Sequence, residues 1–236
     1  MKSIVLTLAL ASSLIVGNAG AGDWTWNPPA KNLVPLAPPV VGSCLSYDYI
    51  DLEYIGTDFG SPYYDGGDAW GLGFSKSLGR TFYVTGAFAE GEYDFDWVGH
   101  TVGVETRRYR FGLGAHREIA RCVDLTFEGG TEYTNAKYPH YEDHNYDSWS
   151  YYFGPGIRAR AGRFEYFAKA LYYGTEGDYS QEYLSHQSAY HGQNNSYGWV
   201  ITPGVILHVT ENLGVKLAAE FGEYDTGYVA GIRYEF

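Results

Sequence analysis

The chain has 236 residues, including 31 Gly and 24 Tyr, and its formal net charge is −12. This negative charge excludes a general nucleic-acid-binding protein, because such proteins need basic surfaces. With only two cysteines, the chain is not a disulfide-dense secreted scaffold. Its many Tyr and Gly residues favour strands and turns over helices.

The N-terminus predicts that the protein is exported. Lys2 is followed by a short apolar run at residues 4–16 and then by small residues, which is typical of a secretory signal peptide. The apolar run is shorter than the roughly 20 residues that a membrane-spanning helix needs. We therefore assign residues 1–21 to a signal peptide. Residues 22–42 hold five of the nine prolines and should form an extended, Pro-rich N-terminal segment.

The remaining residues, 43–236, repeat a hairpin pattern. Four stretches each contain an alternating strand with Gly near its end, a short turn and a second alternating strand that runs out to an aromatic residue. Residues 47–56 and 227–236 supply the two arms of a fifth hairpin, so this hairpin is split between the chain ends. We predict an all-β fold, a closed antiparallel up-and-down transmembrane β-barrel of about ten strands, with eight as the alternative. The four stretches are residues 70–93, 109–133, 151–173 and 199–224.

Each predicted strand has one apolar face and one face of Gly and charged residues, because successive side chains leave a strand on opposite sides. A soluble β-sandwich would turn the charged face towards water. In a membrane barrel the apolar face meets lipid and the charged face lines the lumen. The signal peptide and the closed repeat favour the barrel. The predicted lumen charge network consists of Asp51, Glu53, Arg108, Arg110, Glu128, Glu132, Arg158, Arg160, Lys169, Lys216, Glu220, Arg233 and Glu235.

The alternation continues to the end of the chain, where Tyr234 and Phe236 are aromatic. In this pattern, over residues 43–236, the chain resembles the small outer-membrane β-barrel proteins of Gram-negative bacteria, the OmpA-like and OmpX-like group. The resemblance implies that Tyr234 and Phe236 form the signal that the barrel-assembly machinery reads. It also implies a monomer in the outer membrane, in contact with lipid and lipopolysaccharide, with residues 22–42 in the periplasm.

The function expected from this resemblance is structural, surface-interacting or narrowly porin-like, without enzyme activity or a cofactor. The sequence leaves open whether the lumen is filled or forms a water-filled pore. Buried charges must pair, because an unpaired one costs several kcal/mol. Pairs such as Arg108 or Arg110 with Glu128, or Lys169 with Glu165, would plug a narrow lumen.

The predicted outer loops are strongly acidic. Such a rim can concentrate divalent cations that bridge to lipopolysaccharide phosphates, although a plain solvated surface explains the charge as well. Four of the seven histidines lie in two of these loops, at residues 140–147 and 185–193. They lack a helical spacing or a Cys pair, so we predict no metal site.

One loop suggests an alternative function. His186 and Ser188 resemble the His-x-Ser pair of outer-membrane lipid hydrolases, in which His activates a serine nucleophile. The Asn that usually follows that serine is Ala189 here, and the pair lies in a predicted loop, not on a lipid-facing wall. The enzyme is therefore the alternative hypothesis.

The two cysteines should lie at the same end of the barrel. Cys44 precedes the first predicted strand and Cys122 lies in a short turn, which places both on the periplasmic side. A disulfide between them would fix the Pro-rich segment across the barrel mouth. Two free thiols are the other possibility.

Overall fold

The computed structural model of the protein describes residues 44–58, 64–97, 100–137, 145–178, 195–222 and 226–236. These residues form ten β-strands in one sheet. The prediction of about ten strands is confirmed, and the alternative of eight is wrong. The predicted signal peptide (1–21) and Pro-rich segment (22–42) lie outside the described residues. The strands are β1 Tyr49–Asp58, β2 Tyr64–Leu78, β3 Phe82–Trp97, β4 His100–Ala120, β5 Val123–Lys137, β6 Asn145–Ala161, β7 Phe164–Asp178, β8 Asn195–His208, β9 Leu213–Phe221 and β10 Thr226–Glu235.

The sheet closes on itself as a barrel in which each strand pairs antiparallel with its neighbours in sequence. The first and last strands complete the ring, with Asp51 of β1 opposite Arg233 of β10. This pairing confirms the prediction that a hairpin is split between the two chain ends. Closure leaves no free sheet edge, which is what a β-structure needs in order to cross a bilayer.

Four short connections lie at one end of the barrel, which we call the short-turn end. They join β2 to β3, β4 to β5, β6 to β7 and β8 to β9, and the described chain also begins and ends there. Gly79 and Gly162 have φ angles of 84° and 62° in two of these turns, a left-handed conformation that glycine adopts without steric cost. Cys122 has a φ of 61° in a third turn.

The outside of the barrel is apolar. Trp70, Leu113 and Leu217 are 61%, 58% and 54% exposed. Other large apolar side chains that face outwards on these strands are also exposed. A soluble sandwich would pack such faces together, so that alternative is wrong for this chain. The strands have 9 to 21 residues, and about 9–11 residues suffice to cross a membrane. Within the described residues, no helix is long and apolar enough to span a bilayer.

An aromatic belt surrounds the exterior towards the end opposite the short turns. Its rings contact one another around the barrel, for example Tyr133 and Trp149 with centroids 5.1 Å apart, and Tyr172 and Trp199 at 5.4 Å. Amphipathic aromatic rings favour the boundary between lipid and water. The members of the belt are Tyr54, Trp70, Tyr109, Tyr133, Trp149, Tyr172, Trp199 and Tyr228.

Candidate functional site

The barrel is held closed by charges inside its seam. Arg233 on β10 donates from Nε to Asp51 Oδ1 and from Nη2 to Asp51 Oδ2, each at 2.7 Å. Lys216 on β9 donates to Asp51 Oδ2 at 3.2 Å and also to Glu53 on β1. Between Lys216 and Glu53, the intervening strand carries Gly231. Because Gly231 has no side chain, the lysine reaches across β10 to its partner.

A second lysine uses the same arrangement on the opposite wall. Lys169 on β7 donates to Glu128 on β5 at 2.8 Å, across β6. There, Gly156 is directly opposite Lys169, and Gly154 is directly opposite Glu128. The predicted pairing of Lys169 with Glu165 is wrong, because two consecutive inward glycines on β6 open the way to Glu128.

The arginine pairs also differ from those predicted. Arg110 pairs with Glu132, which is its direct opposite in the register of β4 and β5, at 2.8 Å from Nε to Oε2. It does not pair with Glu128, so that prediction is wrong. Its guanidinium lies near the rings of Tyr152 and Tyr173, at 5.2 and 5.7 Å from their centroids. The pair is thus enclosed by aromatic rings, where cation–π attraction adds to the ion pair.

Two tyrosine side chains cover glycines of the lumen wall. Tyr83 of β3 covers Gly114, where a Cβ would come within 2.1 Å of the tyrosine ring. Tyr152 of β6 extends over Gly130 and Gly112, and its hydroxyl would be 2.3 Å from a Cβ on Gly112. Both tyrosines are buried. The inward glycines therefore make room for large side chains that fill the lumen.

At the short-turn end, residues 44–48 form a segment that we call the N-terminal strap. A disulfide joins Cys44 of the strap to Cys122 of the turn between β4 and β5. The backbone carbonyls of Cys44 and Ser46 accept hydrogen bonds from Arg160 Nη1 at 3.2 Å and from Arg158 Nη1 at 2.9 Å. Two lumen arginines and one covalent bond thus fix the strap to the barrel.

Tyr47 is the strap's anchor. Its hydroxyl donates to Asp124 Oδ2 at 3.0 Å, and its ring stacks on His116 with centroids 4.0 Å apart. The guanidinium of Arg158 also lies over the Tyr47 ring, 4.4 Å from its centroid. Burial raises the pKa of the Tyr47 hydroxyl, and the nearby Asp124 charge adds to the increase, although Arg158 opposes it. The hydroxyl therefore stays protonated and keeps its role as donor.

Asp48 joins the strap to the end of β2. It accepts hydrogen bonds from Lys76 Nζ and from the Ser77 backbone amide, both at 2.6 Å. Its backbone carbonyl accepts from the amide of Phe236 at 3.2 Å. Partial burial raises the pKa of the Asp48 carboxyl, but the hydrogen bonds from Lys76 and Ser77 outweigh it, so the pKa is lowered.

The other predicted site residues fall into three groups. Arg108 and Glu220 lie on strands of the barrel wall, outside the ion pairs named above. Tyr234 and Phe236 lie on the exterior and are exposed. His186 and Ser188 lie outside the described residues, and so do the acidic loop residues Glu142, Asp143, Glu182, Glu223 and Asp225.

Sequence reasoning did not single out His116, His208 or Tyr47. His116 and His208 share their strand parity with lumen residues such as Arg110 and Gly204, so the alternation held a signal for their direction. Tyr47 precedes β1, and nothing in the alternation indicates that it turns into the barrel mouth.

No protein-family model matches the chain, and no curated protein matches it. Three similar solved structures are themselves membrane-type barrels. The β domain of the Bordetella autotransporter Brka is 11% identical, with a TM-score of 0.48, over 80% of this chain and 98% of that one. The NanC porin is 10% identical (TM-score 0.44), over 79% of this chain and 100% of that one.

The third, Ail, the attachment invasion locus protein of Yersinia pestis, is 12% identical, with a TM-score of 0.37, over 81% of this chain and 100% of that one. These likenesses are too distant to carry an argument about function. The fold rests on this chain's own strand pairing, which closes ten antiparallel strands around a lumen filled with paired charges and tyrosines.

Proposed function

We propose that this chain is an exported protein of the Gram-negative outer membrane. It is a non-enzymatic barrel with a closed lumen that holds its loops at the membrane surface, as a structural or surface-interaction protein. The apolar exterior, the aromatic belt and the closed sheet support a position in lipid. Its proposed partners are membrane lipid and lipopolysaccharide around the barrel and the barrel-assembly machinery at Tyr234 and Phe236.

The observation that carries the proposal is the burial of large and charged side chains of the lumen wall. Tyr152, Asp124 and Glu165 are lumen-facing, yet they are 1%, 1% and 0% exposed. In a water-filled pore the lining side chains contact water, as in the large porins. In this barrel water does not reach these three side chains, because tyrosines, ion pairs and the N-terminal strap surround them. This favours the scaffold over narrow porin-like passage.

The test is the ion conductance of the refolded, signal-free chain in a planar bilayer. The closed lumen predicts that the wild-type protein gives no stable channels. The double variant Tyr83→Ala with Tyr152→Ala removes the two rings that lie over the lumen glycines and should give discrete openings. Tyr166→Ala is the matched control, because Tyr166 faces outwards and is exposed; it should remain silent.

Discrete wild-type channels whose conductance changes in Lys169→Gln would contradict the closed lumen and support solute passage. Folding of each variant is checked beforehand by the heat-dependent mobility of the barrel in gel electrophoresis. The lipid hydrolase is a separate question, because His186 and Ser188 lie outside the described residues and no observation favours it.

A further inference from the structure

One side-chain cluster in the lumen lies beside the ion pairs that close the seam, with Arg233 Nη1 3.9 Å from Glu165 Oε1. Glu165 on β7, His208 on β8 and Glu235 on β10 come together near the short-turn end and can each offer one ligand atom within 4.8 Å of the others. They are 0%, 2% and 5% exposed. We propose that these three side chains bind one divalent transition-metal ion, with Zn²⁺ as the first candidate. The proposal does not depend on the function proposed above.

The geometry of two of the donors already suits such an ion. His208 Nε2 and Glu165 Oε2 are 3.3 Å apart. Two ligands at about 2.1 Å from a tetrahedral zinc ion are separated by about 3.4 Å. The Glu235 carboxylate, with an oxygen within 4.8 Å of the other two ligand atoms, completes a three-residue set. Three protein ligands plus a water molecule form a common zinc coordination.

Unpaired polar atoms point to a missing partner. His208 Nδ1 and Glu235 Oε1 are both buried without a hydrogen-bond partner among the described residues. A buried polar atom that lacks a partner costs about 1–3 kcal/mol. Glu235 lies on the seam strand β10, opposite Tyr49 of β1, but takes no part in the ion pairs that close the barrel. A bound cation would satisfy Glu235 Oε1, whereas it would leave His208 Nδ1 as it is, because His208 would ligate through Nε2.

The charges around the cluster are unequal. Arg233 and Lys216 bind Asp51, and Glu165 Oε1 accepts from Arg158 Nε at 2.9 Å and lies 3.9 Å from Arg233 Nη1. Glu235 has no ion-pair partner in the part of the chain that the structure describes. The local sum is four carboxylates against three cations, namely Asp51, Glu53, Glu165 and Glu235 against Lys216, Arg158 and Arg233.

Arg158 does not block the site, because it engages Oε1 of Glu165 and leaves Oε2 facing His208. Hydrogen bonds of this kind to a ligating carboxylate are usual around protein metal ions and fix its orientation. A ligand set with one imidazole and two carboxylates suits Zn²⁺ better than Ca²⁺, which prefers oxygen ligands alone. The bound ion would join the last strand, β10, to β7 and β8 once the barrel has closed.

The experiment is a Zn²⁺ titration of the folded, tag-free barrel by isothermal calorimetry. The five histidines other than His116 and His208 are first changed to Gln, so that they do not contribute to Zn²⁺ binding. In this background we expect one Zn²⁺ site per chain and no comparable Ca²⁺ site. Glu235→Gln keeps the size of the side chain and should weaken Zn²⁺ binding at least tenfold. The five histidines are His100, His140, His144, His186 and His191.

Matched controls separate the cluster from the lumen in general. His116→Asn changes the other lumen histidine at this end, which is bonded to Asp124 and lies outside the cluster; it should leave Zn²⁺ binding unchanged. His208→Asn should weaken binding as Glu235→Gln does, and if it does not fold, Glu235→Gln decides alone. Equal Zn²⁺ affinity in Glu235→Gln and its background, or no site in the background, overturns the proposal.

Discussion

Asp51 on the first strand and Arg233 on the last strand form a two-point ion pair directly across the seam of the barrel. Both guanidinium contacts are 2.7 Å long, and both residues are buried. The two residues are 182 positions apart in sequence, and their strands pair only when the ring closes. Bidentate pairs of this kind add geometric specificity as well as attraction. The pair therefore favours this one register of β1 against β10.

The first prediction concerns this ion pair. Arg233→Met leaves the buried carboxylate with only Lys216, and we expect the free energy of unfolding to fall by about 3 kcal/mol, the loss typical of a broken buried pair. The double variant with Asp51→Asn should lose less free energy of unfolding than the sum of the two single variants, because each single change leaves the other charge unpaired. Urea unfolding in lipid vesicles, followed by tryptophan fluorescence, measures both.

The matched control is an ion pair on the exterior. Arg107 and Glu90 are 2.7 Å apart but roughly half exposed. Arg107→Met should cost less than about 1 kcal/mol, as for other exposed pairs. If Arg233→Met and Arg107→Met cost the same, the seam pair does not hold the barrel closed.

The second prediction concerns the glycines that let lysines reach across a strand. A Cβ on Gly231 would lie 2.5 Å from the Leu52 carbonyl oxygen and 3.1 Å from Glu53 Cγ. The Leu52 backbone cannot move aside without a large cost in free energy. The Gly231→Ala substitution should therefore separate β10 from β1 and lower the urea midpoint of unfolding. The comparison is Gly73→Ala on β2, where the atom nearest to an added Cβ is Asp51 Cβ at 3.6 Å; this substitution should be tolerated. Equal midpoints for the two variants would contradict the close-approach argument.

The alternation of side chains predicts the two faces of each strand, because it follows from backbone geometry alone, and the hairpin repeat split between the chain ends predicts the strand number and the closure. It does not identify ion-pair partners. Arg110 finds Glu132 because the β4–β5 register places them opposite each other. Lys169 finds Glu128 because the strand between them carries glycine. Both pairings depend on the registers of neighbouring strands, and the alternation of side chains in the sequence does not determine these registers.

The contacts of the N-terminal strap at the short-turn end could not be predicted from the sequence either. Tyr47 lies before the first strand, where no periodicity constrains its side chain, and its partners Asp124 and His116 are about 70 residues away or more. The position of Cys122 in a short turn did indicate the correct end of the barrel. The bond to Cys44, however, depends on the strap's path across the mouth.

The third prediction concerns that disulfide. The bond links residues 78 positions apart, and cross-links over loops of this size stabilise a fold by about 2–4 kcal/mol. The double variant Cys44→Ser with Cys122→Ser should lower the free energy of unfolding accordingly and expose the strap to added protease before the barrel unfolds. Reductant should reproduce both effects in the wild type and change nothing in the variant, since it has no cysteine left. An unchanged protease pattern would mean that the hydrogen bonds of the strap hold it in place without the disulfide.

The last prediction tests the lipid-facing exterior. Leu113 on β4 faces outwards, four residues from Tyr109 of the aromatic belt in the direction of the short turns, and should lie within the hydrocarbon layer. Leu113→Arg should therefore reduce the free energy of unfolding in phospholipid vesicles by about 2–4 kcal/mol, as charged side chains do near the bilayer midplane. Thr226→Arg is the control, because Thr226 is exposed at the start of β10, on the far side of the belt. It should cost about 0–1 kcal/mol, as charges do near the interface. If the two arginines cost the same, the hydrocarbon layer does not lie where the exposed apolar side chains place it.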